Sequence, residues 1–367
     1  MAEAWKNMLN LETVTAFAQA IKSVHKEFPV DEFVKSTVDE TWNDLELMAR
    51  GKKVTVNMKM FLPQNYSEAL SIMDKAIVVS DAFFKMCFPT YVEMYGQDDI
   101  NWDLSMHAME LYTQYSSSEF AVRPFIIKHE KRMMEQMYKW SKHENEHVRR
   151  LSSEGCRPAL PWGQALVSFK KDPSPILPIL EQLKTDPSAY VRKSVANNLN
   201  DISKTHPDLV AKLAKEWFGK HEYTDWIVKH GCRTLLKKGN RDVLAIFGFH
   251  DVSSVDAQSF ALDKKTVAIG EEFTFSFNIS TKEATKVRLE YGVDFVKSNG
   301  KRNRKIFQIS EIAFAENQKK AYSKKHSFED LSTRKHYPGP HSITLIVNGT
   351  ERGTLDFELT VPLSQST

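Results

Sequence analysis

Two patterns of hydrophobic spacing divide the chain. From the N-terminus to about residue 250, apolar residues recur every three or four positions, which predicts helices. The first runs through Val14, Phe17, Ile21 and Val24 behind Asn10, a residue suited to cap a helix. Further helices are predicted around residues 33–49, 66–84 and 102–120, with breaks at Arg50-Gly51, Leu62-Pro63 and Gly96-Gln97.

A repeat is visible within the helical region. Val148, Val191 and Ile227 each open a helix and are each followed by basic residues. Their spacing of roughly 40 residues, with proline-containing turns between them, is typical of HEAT or armadillo arrays. The apolar residue is the predicted core anchor, and the cations after it are predicted to lie on one concave surface.

Beyond residue 259, apolar and polar residues alternate, which predicts strands. The clearest segments are residues 273–277, 287–291, 305–309, 343–347 and 355–359. Asn348-Gly349 between the last two is a hairpin signal. About seven short strands favour an immunoglobulin-like β-sandwich. Basic loops are predicted at residues 297–305 and around Lys319, Lys320, Lys324 and Lys325.

The predicted fold class is therefore a HEAT-like α-α superhelix followed by a separate all-β domain. Its predicted domains are residues 1–250 and 255–367. A length of 367 residues agrees with two domains. The net charge of +3 neither requires nor excludes a nucleic acid partner.

Composition also limits the chemistry. Cys87, Cys156 and Cys232 are far apart and outside any metal-ligand spacing, so we expect reduced core thiols in a cytoplasmic protein. We expect no secretory signal and no membrane span. Phosphate-binding glycine loops, zinc helices and nucleophile elbows are missing from the sequence, so we expect neither a metal nor a cofactor.

One motif occurs twice. Ser117-Ser118-Glu119 precedes Arg123-Pro124, and Ser152-Ser153-Glu154 precedes Arg157-Pro158, each in a predicted helical stretch. Two carboxylates facing one groove can stabilise an oxocarbenium-like sugar and orient a water. The alternative is a pair of surface salt links at helical spacing, Glu119 with Arg123 and Glu154 with Arg157.

The aromatic residue Trp162 follows the second copy of the motif. It is either an aromatic wall that packs on a sugar or base, or a core residue at a helix–loop junction.

Basic residues fall at similar points of successive repeats, where they either follow a phosphate backbone or are solvated helix starts. A cation at a helix N-terminus opposes the helix dipole, which favours a polyanionic partner. Asn197 and Asn198 lie on the same predicted helix as Arg192 and are candidates for DNA contacts or for its polar face. The candidate cations are Arg149, Arg150, Arg157, Arg192, Lys193, Lys229 and Arg233.

The helical part resembles the AlkC type of bacterial alkylpurine DNA glycosylase, which is built from HEAT-like repeats. The resemblance covers most of residues 1–250, and its most specific stretch is VRRLSSEGCRPALPW. Other matching stretches are FPVDEF, LELMARGKKVTVNMKMFLPQNYSEAL, SSEFAVRPFI and SAYVRKSVANNLNDISKTHPDLV. An immunoglobulin-like tail is common in that family.

The resemblance implies a monofunctional enzyme that excises cationic N-alkylated bases such as 3-methyladenine and 3-methylcytosine from duplex DNA. Excision is expected without base flipping, by a monomeric, nucleoid-associated bacterial protein. Glu119 and Glu154 resemble the carboxylates near the anomeric carbon and the attacking water, and Trp162 resembles the aromatic residue of the lesion cradle. The basic and amide residues of the repeats resemble phosphate contacts.

We expect the basic residues Lys301, Arg302 and Arg304 of the β-sandwich to help grip the DNA. The competing hypothesis is a non-enzymatic HEAT-repeat scaffold that binds DNA or protein, because such arrays are common interaction surfaces.

Overall fold

The computed structural model describes residues 5–250, 253–331 and 334–361, in which a helical region precedes an all-β region. The helices are α1 Leu11–Val24, α2 Val30–Thr37, α3 Leu47–Phe61, α4 Tyr66–Val79, α5 Cys87–Tyr95, α6 Trp102–Tyr112, α7 Val122–Lys128, α8 Glu130–Trp140, α9 Glu146–Glu154, α10 Val167–Lys171, α11 Leu177–Leu183, α12 Ala189–Ile202, α13 Pro207–Trp217, α14 Glu222–Gly231, α15 Arg233–Lys237 and α16 Arg241–Ile246. The strands are β1 Val255–Leu262, β2 Thr266–Ala268, β3 Glu272–Thr281, β4 Thr285–Val296, β5 Arg302–Phe314, β6 Lys319–Ser327, β7 Gly339–Val347 and β8 Thr350–Thr360.

Local sequence explains where the first helix begins. The Asn10 side chain accepts a hydrogen bond from the backbone N–H of Thr13, whose hydroxyl in turn accepts from the Asn10 N–H. This reciprocal cap satisfies two backbone donors that a helix N-terminus leaves unpaired. The predicted apolar face of α1 is buried at Val14, Phe17 and Ile21.

The break predicted at Arg50-Gly51 is wrong, because both residues lie inside α3. Arg50 is buried, and its guanidinium donates to the backbone oxygens of Lys6 and Leu9 at 2.8 and 2.7 Å. A Cβ on Gly51 would lie 3.0 Å from the Met86 Cε, so glycine permits a close approach. The other predicted breaks are confirmed, since α3 ends at Phe61 and α5 at Tyr95.

Three helices carry the predicted repeat. Val148 in α9, Val191 in α12 and Ile227 in α14 are fully buried, as expected of core anchors. The middle helix, α12, packs against both α9 and α14. The side chains of Asn145 and Ser188 cap α9 and α12. Val148 and Val191 thus each lie three residues after the cap of their helix.

Two sheets form the all-β region. Their strand orders are β1-β3-β6 and β2-β8-β7-β4-β5, with antiparallel neighbours except for the parallel pair β2–β8. Aromatic side chains pack between the facing surfaces of the two sheets. The ring centroids of Phe275 and Tyr291 lie 4.8 Å apart, and those of Phe273 and Phe357 lie 4.9 Å apart. Alternation of apolar residues along β3 places this core between the sheets.

The hairpin prediction is confirmed, because Asn348 and Gly349 both have positive φ, 45° and 74°, and join β7 to β8. The second predicted basic loop is wrong. Lys319, Lys320, Lys324 and Lys325 lie in β6 and pair with β3. Lysines on such an edge strand oppose pairing with another chain. The first basic loop is shorter than predicted, since β5 begins at Arg302.

The chain forms two compact units. The first comprises Met1–His206 and Gly219–Gly231, and the second comprises Pro207–Phe218 and Cys232–Thr367. Helices α13, α15 and α16 therefore group with the strands, although the change from helix to strand lies between Ile246 and Val255. The three cysteines are buried and unpaired. No helix in the described ranges is long and apolar enough to cross a membrane.

Candidate active site

The two copies of the Ser-Ser-Glu motif lie in different local structures. Glu119 lies in the connection between α6 and α7, so the prediction of a helical stretch is wrong for the first copy. Glu154 is the last residue of α9, and Arg157 follows in the next turn. The first acid thus precedes a helix and the second ends one, so sequence similarity does not reflect structural equivalence.

The two acids nevertheless meet at one guanidinium, that of Arg150. Its Nη1 lies 2.7 Å from the Glu119 Oε2 and 3.0 Å from the Ser117 hydroxyl, while its Nη2 lies 3.6 Å from the Glu154 Oε1. Ser117 also donates to the Glu119 Oε2 at 2.9 Å. Two neighbouring carboxylates would repel each other, and the cation between them offsets that repulsion.

Glu154 is held on its other side as well. Its Oε1 accepts from the Arg157 Nη1 at 2.6 Å, and its Oε2 accepts from the Ser194 hydroxyl at 2.6 Å. Arg157 also donates to Asp201 at 2.9 Å, and Asp201 accepts from Lys204 at 2.8 Å. Burial alone lowers the pKa of Arg157, but the Glu154 and Asp201 carboxylates outweigh that effect and raise it. The second predicted salt link therefore exists as a buried pair within a network.

The first predicted salt link, Glu119 with Arg123, does not form within the described structure. Arg123 is fully buried and donates instead to three backbone oxygens, those of Gln164, Gly155 and Arg157, at 2.5, 2.9 and 3.0 Å. Burial of its guanidinium lowers the pKa to about 10. Arg123 thus fixes both ends of the loop that follows α9.

Trp162 projects from that loop. Its side chain is 90% exposed, so the interpretation as a core aromatic is wrong. The backbone N–H of Gly163 donates to the Leu160 oxygen at 3.1 Å, and Trp162 has a φ of 64°. Proline before a residue of positive φ is the pattern of a type II turn, which normally takes glycine there. A bulky residue in this region costs about 1–2 kcal/mol, and the exposed indole regains little of that cost by burial.

Tyr190 is a member of the site that the sequence did not single out. Its ring lies under the Arg150 guanidinium, 4.7 Å from the centroid, and it is 42% exposed. The ring of His147 contacts its edge at 5.6 Å. Tyr190 directly precedes the anchor Val191, so an aromatic residue beside a repeat anchor was the available signal. The sequence also missed the buried Ser194, and it placed Asp201 on the helix of Arg192 without connecting it to the network that supports Glu154.

Like Arg150 and Arg157, the candidate cations Arg149 and Arg192 have partners within the protein. Arg149 makes two hydrogen bonds to the Asp186 carboxylate, at 2.7 and 3.1 Å. Arg192 donates to the backbone oxygens of Asp186 and Pro187 at 2.9 and 2.7 Å and stacks on Tyr223 at 4.0 Å. Arg149 thus ties α9 to the segment before α12, and Arg192 connects α12 to α14.

The remaining candidates of the helices differ in exposure. Asn198 is fully buried and donates to the Ser153 oxygen at 2.8 Å, so it joins α12 to α9. Lys193 is exposed. Partners within the protein are present for Asn197, Lys229 and Arg233.

In the β-sandwich, Lys301 and Arg302 are exposed, whereas Arg304 makes hydrogen bonds to Asp294 and Glu351. These carboxylates raise the pKa of Arg304, with the Asp294 hydrogen bond as the largest cause. All three residues are exposed, and Arg304 differs from the other two by its ion pairs with Asp294 and Glu351. Among the described residues, no group of three metal-ligating side chains is present.

Comparison with known proteins identifies similar families for both regions of the chain. The family model described as a DNA alkylation repair enzyme matches residues 113–240, and the model of the C-terminal Ig-like domain of the uncharacterised protein YhaZ matches residues 256–361. The chain is 46% identical to the uncharacterized protein YhaZ of Bacillus subtilis (strain 168), over 96% of this chain and 99% of that protein.

A solved structure is also similar over nearly its whole length. It is the Pseudomonas fluorescens alkylpurine DNA glycosylase AlkC, bound to DNA containing an abasic site analog. Its TM-score is 0.93 at 33% sequence identity, covering 98% of this chain and 100% of that one. The predicted fold class and the resemblance stated from the sequence are both confirmed.

Proposed function

This chain belongs to the AlkC family of DNA alkylation repair glycosylases, and we propose that it hydrolyses the N-glycosidic bond of cationic N-alkylated bases in duplex DNA. The proposed substrates include 3-methyladenine and 3-methylcytosine. The single observation that carries the mechanism is the meeting of Glu119 and Glu154 at Arg150. The exposed Trp162 follows on the next loop.

The proposed reaction needs little from a general acid. An alkyl group on a ring nitrogen leaves the base positively charged, so the base departs with the electron pair of the C1′–N bond and becomes neutral. Positive charge then develops on the sugar as an oxocarbenium-like ion. Carboxylates placed in advance near that charge lower the barrier, since they need no reorganisation when the charge appears. A water adds its oxygen to C1′, and its proton passes to a carboxylate or to solvent.

Glu119 and Glu154 are the proposed carboxylates. Ser117 and Arg150 orient Glu119, whereas Arg157 and Ser194 orient Glu154. A catalytic side chain keeps its orientation when neighbouring residues hold it by hydrogen bonds of this kind. Glu119 is the more accessible of the two, with 17% of its side chain exposed against 6% for Glu154. We therefore propose that Glu119 lies nearer the water and that Glu154 acts on the sugar charge at longer range.

The proposed role of Trp162 is to stack on the lesion or its sugar from outside the helical core. Because its indole is exposed on a constrained turn, it can reach a duplex without a deep pocket. Aromatic stacking on a base contributes about 1–3 kcal/mol. This arrangement supports excision without base flipping.

Phosphate contacts are assigned to two sets of cations. Lys193, Lys301 and Arg302 are exposed and are proposed to bind phosphates directly. The helix cations that have intramolecular partners are proposed as secondary contacts, which bind phosphates while keeping those partners. These cations are Arg149, Arg150, Arg157, Arg192, Lys229 and Arg233. Arg304 and Asn197 are proposed to act in the same way. Asn198 is fully buried between α12 and α9, so it is not assigned a phosphate contact. Each neutralised phosphate steepens the salt dependence of binding by about 0.9 in the logarithmic slope.

The decisive experiment measures release of free methylated base from methylated duplex DNA under single-turnover conditions. The variants Glu119→Gln and Glu154→Gln keep the size and one acceptor oxygen of each side chain, so the fold is expected to persist. Each variant is expected to lose on the order of a hundredfold or more in rate, as when one preorganised electrostatic group is removed.

Glu144→Gln is the matched control, because Glu144 is an exposed glutamate just before the cap of α9. It is expected to release base at the native rate. Absence of release by the native chain, with binding of duplex DNA retained, would instead support a non-enzymatic scaffold. Native-like rates in both site variants would leave the glycosylase activity intact but would remove these residues from the mechanism.

A further inference from the structure

A small cavity adjoins the acid pair within the first compact unit. It has a volume of about 160 Å³ and lies between α3, α5 and the connection that carries Glu119. Ser117 lines the cavity, and the same residue binds both Glu119 and Arg150. The cavity and the proposed site of bond cleavage therefore share a wall.

The lining suits a small planar heterocycle. Met86, Pro89 and Phe120 supply apolar surface, and the hydroxyls of Thr90 and Ser117 supply polar atoms. Methionine sulfur makes favourable contacts with aromatic rings and adapts to irregular shapes. A volume of about 160 Å³ has room for several waters, and therefore for one small heterocycle.

One carboxylate in the cavity has no hydrogen-bond donor. Glu93 on α5 lines the cavity, and among the described residues no group donates to its side chain. Burial raises the pKa of the Glu93 carboxyl above its ordinary value, and the charge of Lys52 offsets this only in part. A carboxylate with no donor within the described structure is available to accept a hydrogen bond from a ligand. A ligand with an amine would therefore be stabilised at this position.

We propose that this cavity receives the released base, an N-methylated purine or pyrimidine whose exocyclic amine donates to Glu93. This inference rests on the proposed function, since the base is the product of that reaction. The methyl group and ring faces contact Met86 and Phe120. Holding the base beside Ser117 removes it from C1′ while the water adds, which opposes re-formation of the glycosidic bond. The enzyme is thereby subject to inhibition by its own product.

The test measures binding of free 3-methyladenine to the full chain by equilibrium dialysis, and its inhibition of multiple-turnover base release. We expect saturable binding at one site. Glu93→Gln, which loses the charge on the acceptor, is expected to weaken binding about tenfold. Thr90→Leu fills the cavity and removes a hydroxyl that donates to the backbone oxygen of Met86. This variant is expected to abolish binding of 3-methyladenine.

Glu135→Gln is the control for this test, because Glu135 is an exposed glutamate of α8 outside the cavity. It is expected to bind 3-methyladenine as the native chain does. Circular dichroism of each variant checks the fold. If Thr90→Leu does not fold, Glu93→Gln alone decides between the outcomes.

Failure of the cavity assignment and failure of the proposed function give different results. A native chain that releases base from DNA but does not bind free 3-methyladenine would overturn the cavity assignment and leave the proposed function standing. Binding that is equal in the native chain and in Glu93→Gln would also overturn it. A chain that releases no base would refute the proposed function, and binding of free base would then identify no product site.

Discussion

Replacement of Trp162 by glycine or alanine separates the requirements of folding from those of catalysis. The indole is 90% exposed, so truncation removes almost no buried apolar surface. Trp162→Ala keeps a Cβ in the left-handed region and is expected to change the free energy of unfolding by no more than about 0.5 kcal/mol.

Trp162→Gly also removes the conformational penalty. The left-handed backbone at φ 64° costs a non-glycine residue about 1–2 kcal/mol, whereas the extra freedom of glycine in the unfolded chain costs about 0.5–1 kcal/mol. The glycine variant is therefore expected to be more stable than the alanine variant by about 0.5–1 kcal/mol. Urea unfolding of the native chain and both variants measures this difference.

Activity is expected to move in the opposite direction. Loss of a stacking contact of about 1–3 kcal/mol predicts a decrease in single-turnover base release of about fivefold to 150-fold in both variants. Trp162→Phe keeps an aromatic face and is expected to retain most of the rate. Destabilisation of Trp162→Ala by more than about 2 kcal/mol would refute the reasoning, because it would show that the indole is buried. Native rates in both variants would refute the proposed stacking role.

Two further predictions concern the β-sandwich. Burial lowers the pKa of His326 to about 4, whereas in the unfolded chain the imidazole takes up its proton near pH 6.5. The stability that the neutral His326 contributes is therefore fully present above pH 6.5. The free energy of unfolding falls by roughly 2–3 kcal/mol as the pH drops from 6.5 to 4. Urea unfolding at pH 7 and pH 4.5 should show a smaller loss in His326→Leu, and equal losses would contradict the assignment. Gly349→Ala would place a Cβ 2.5 Å from the Gly239 Cα, whereas Gly300→Ala, at the same φ of 74°, meets open space. Both variants are expected to lose about 1–2 kcal/mol from backbone strain, with about 1–3 kcal/mol more for Gly349→Ala from overpacking; equal thermal unfolding of the two would show that the close contact is absent.

Much of the fold could be predicted from local sequence, because periodicity and turn chemistry act over a few residues. The spacing of Val14, Phe17 and Ile21 behind Asn10 predicted α1 with its cap, and Asn348-Gly349 predicted a hairpin. The same local reasoning failed at Arg50-Gly51. There a buried guanidinium finds backbone acceptors more than 40 positions away in the chain, and glycine serves a helix contact instead of a break.

The candidate site likewise has features that local sequence predicts and features that depend on packing. Sequence by itself determined which residue types were present: two acids in similar motifs, a tryptophan after the second, and cations beside the repeat anchors. Only the tertiary structure decided that Arg150, from α9, lies between Glu119 and Glu154, and that Arg149 is a tie to Asp186. The physical reason is the sequence separation of the interacting residues, since caps and turns depend on neighbours along the chain. Ion pairs and burial depend on which helices pack together, and the partners then lie more than 30 residues apart.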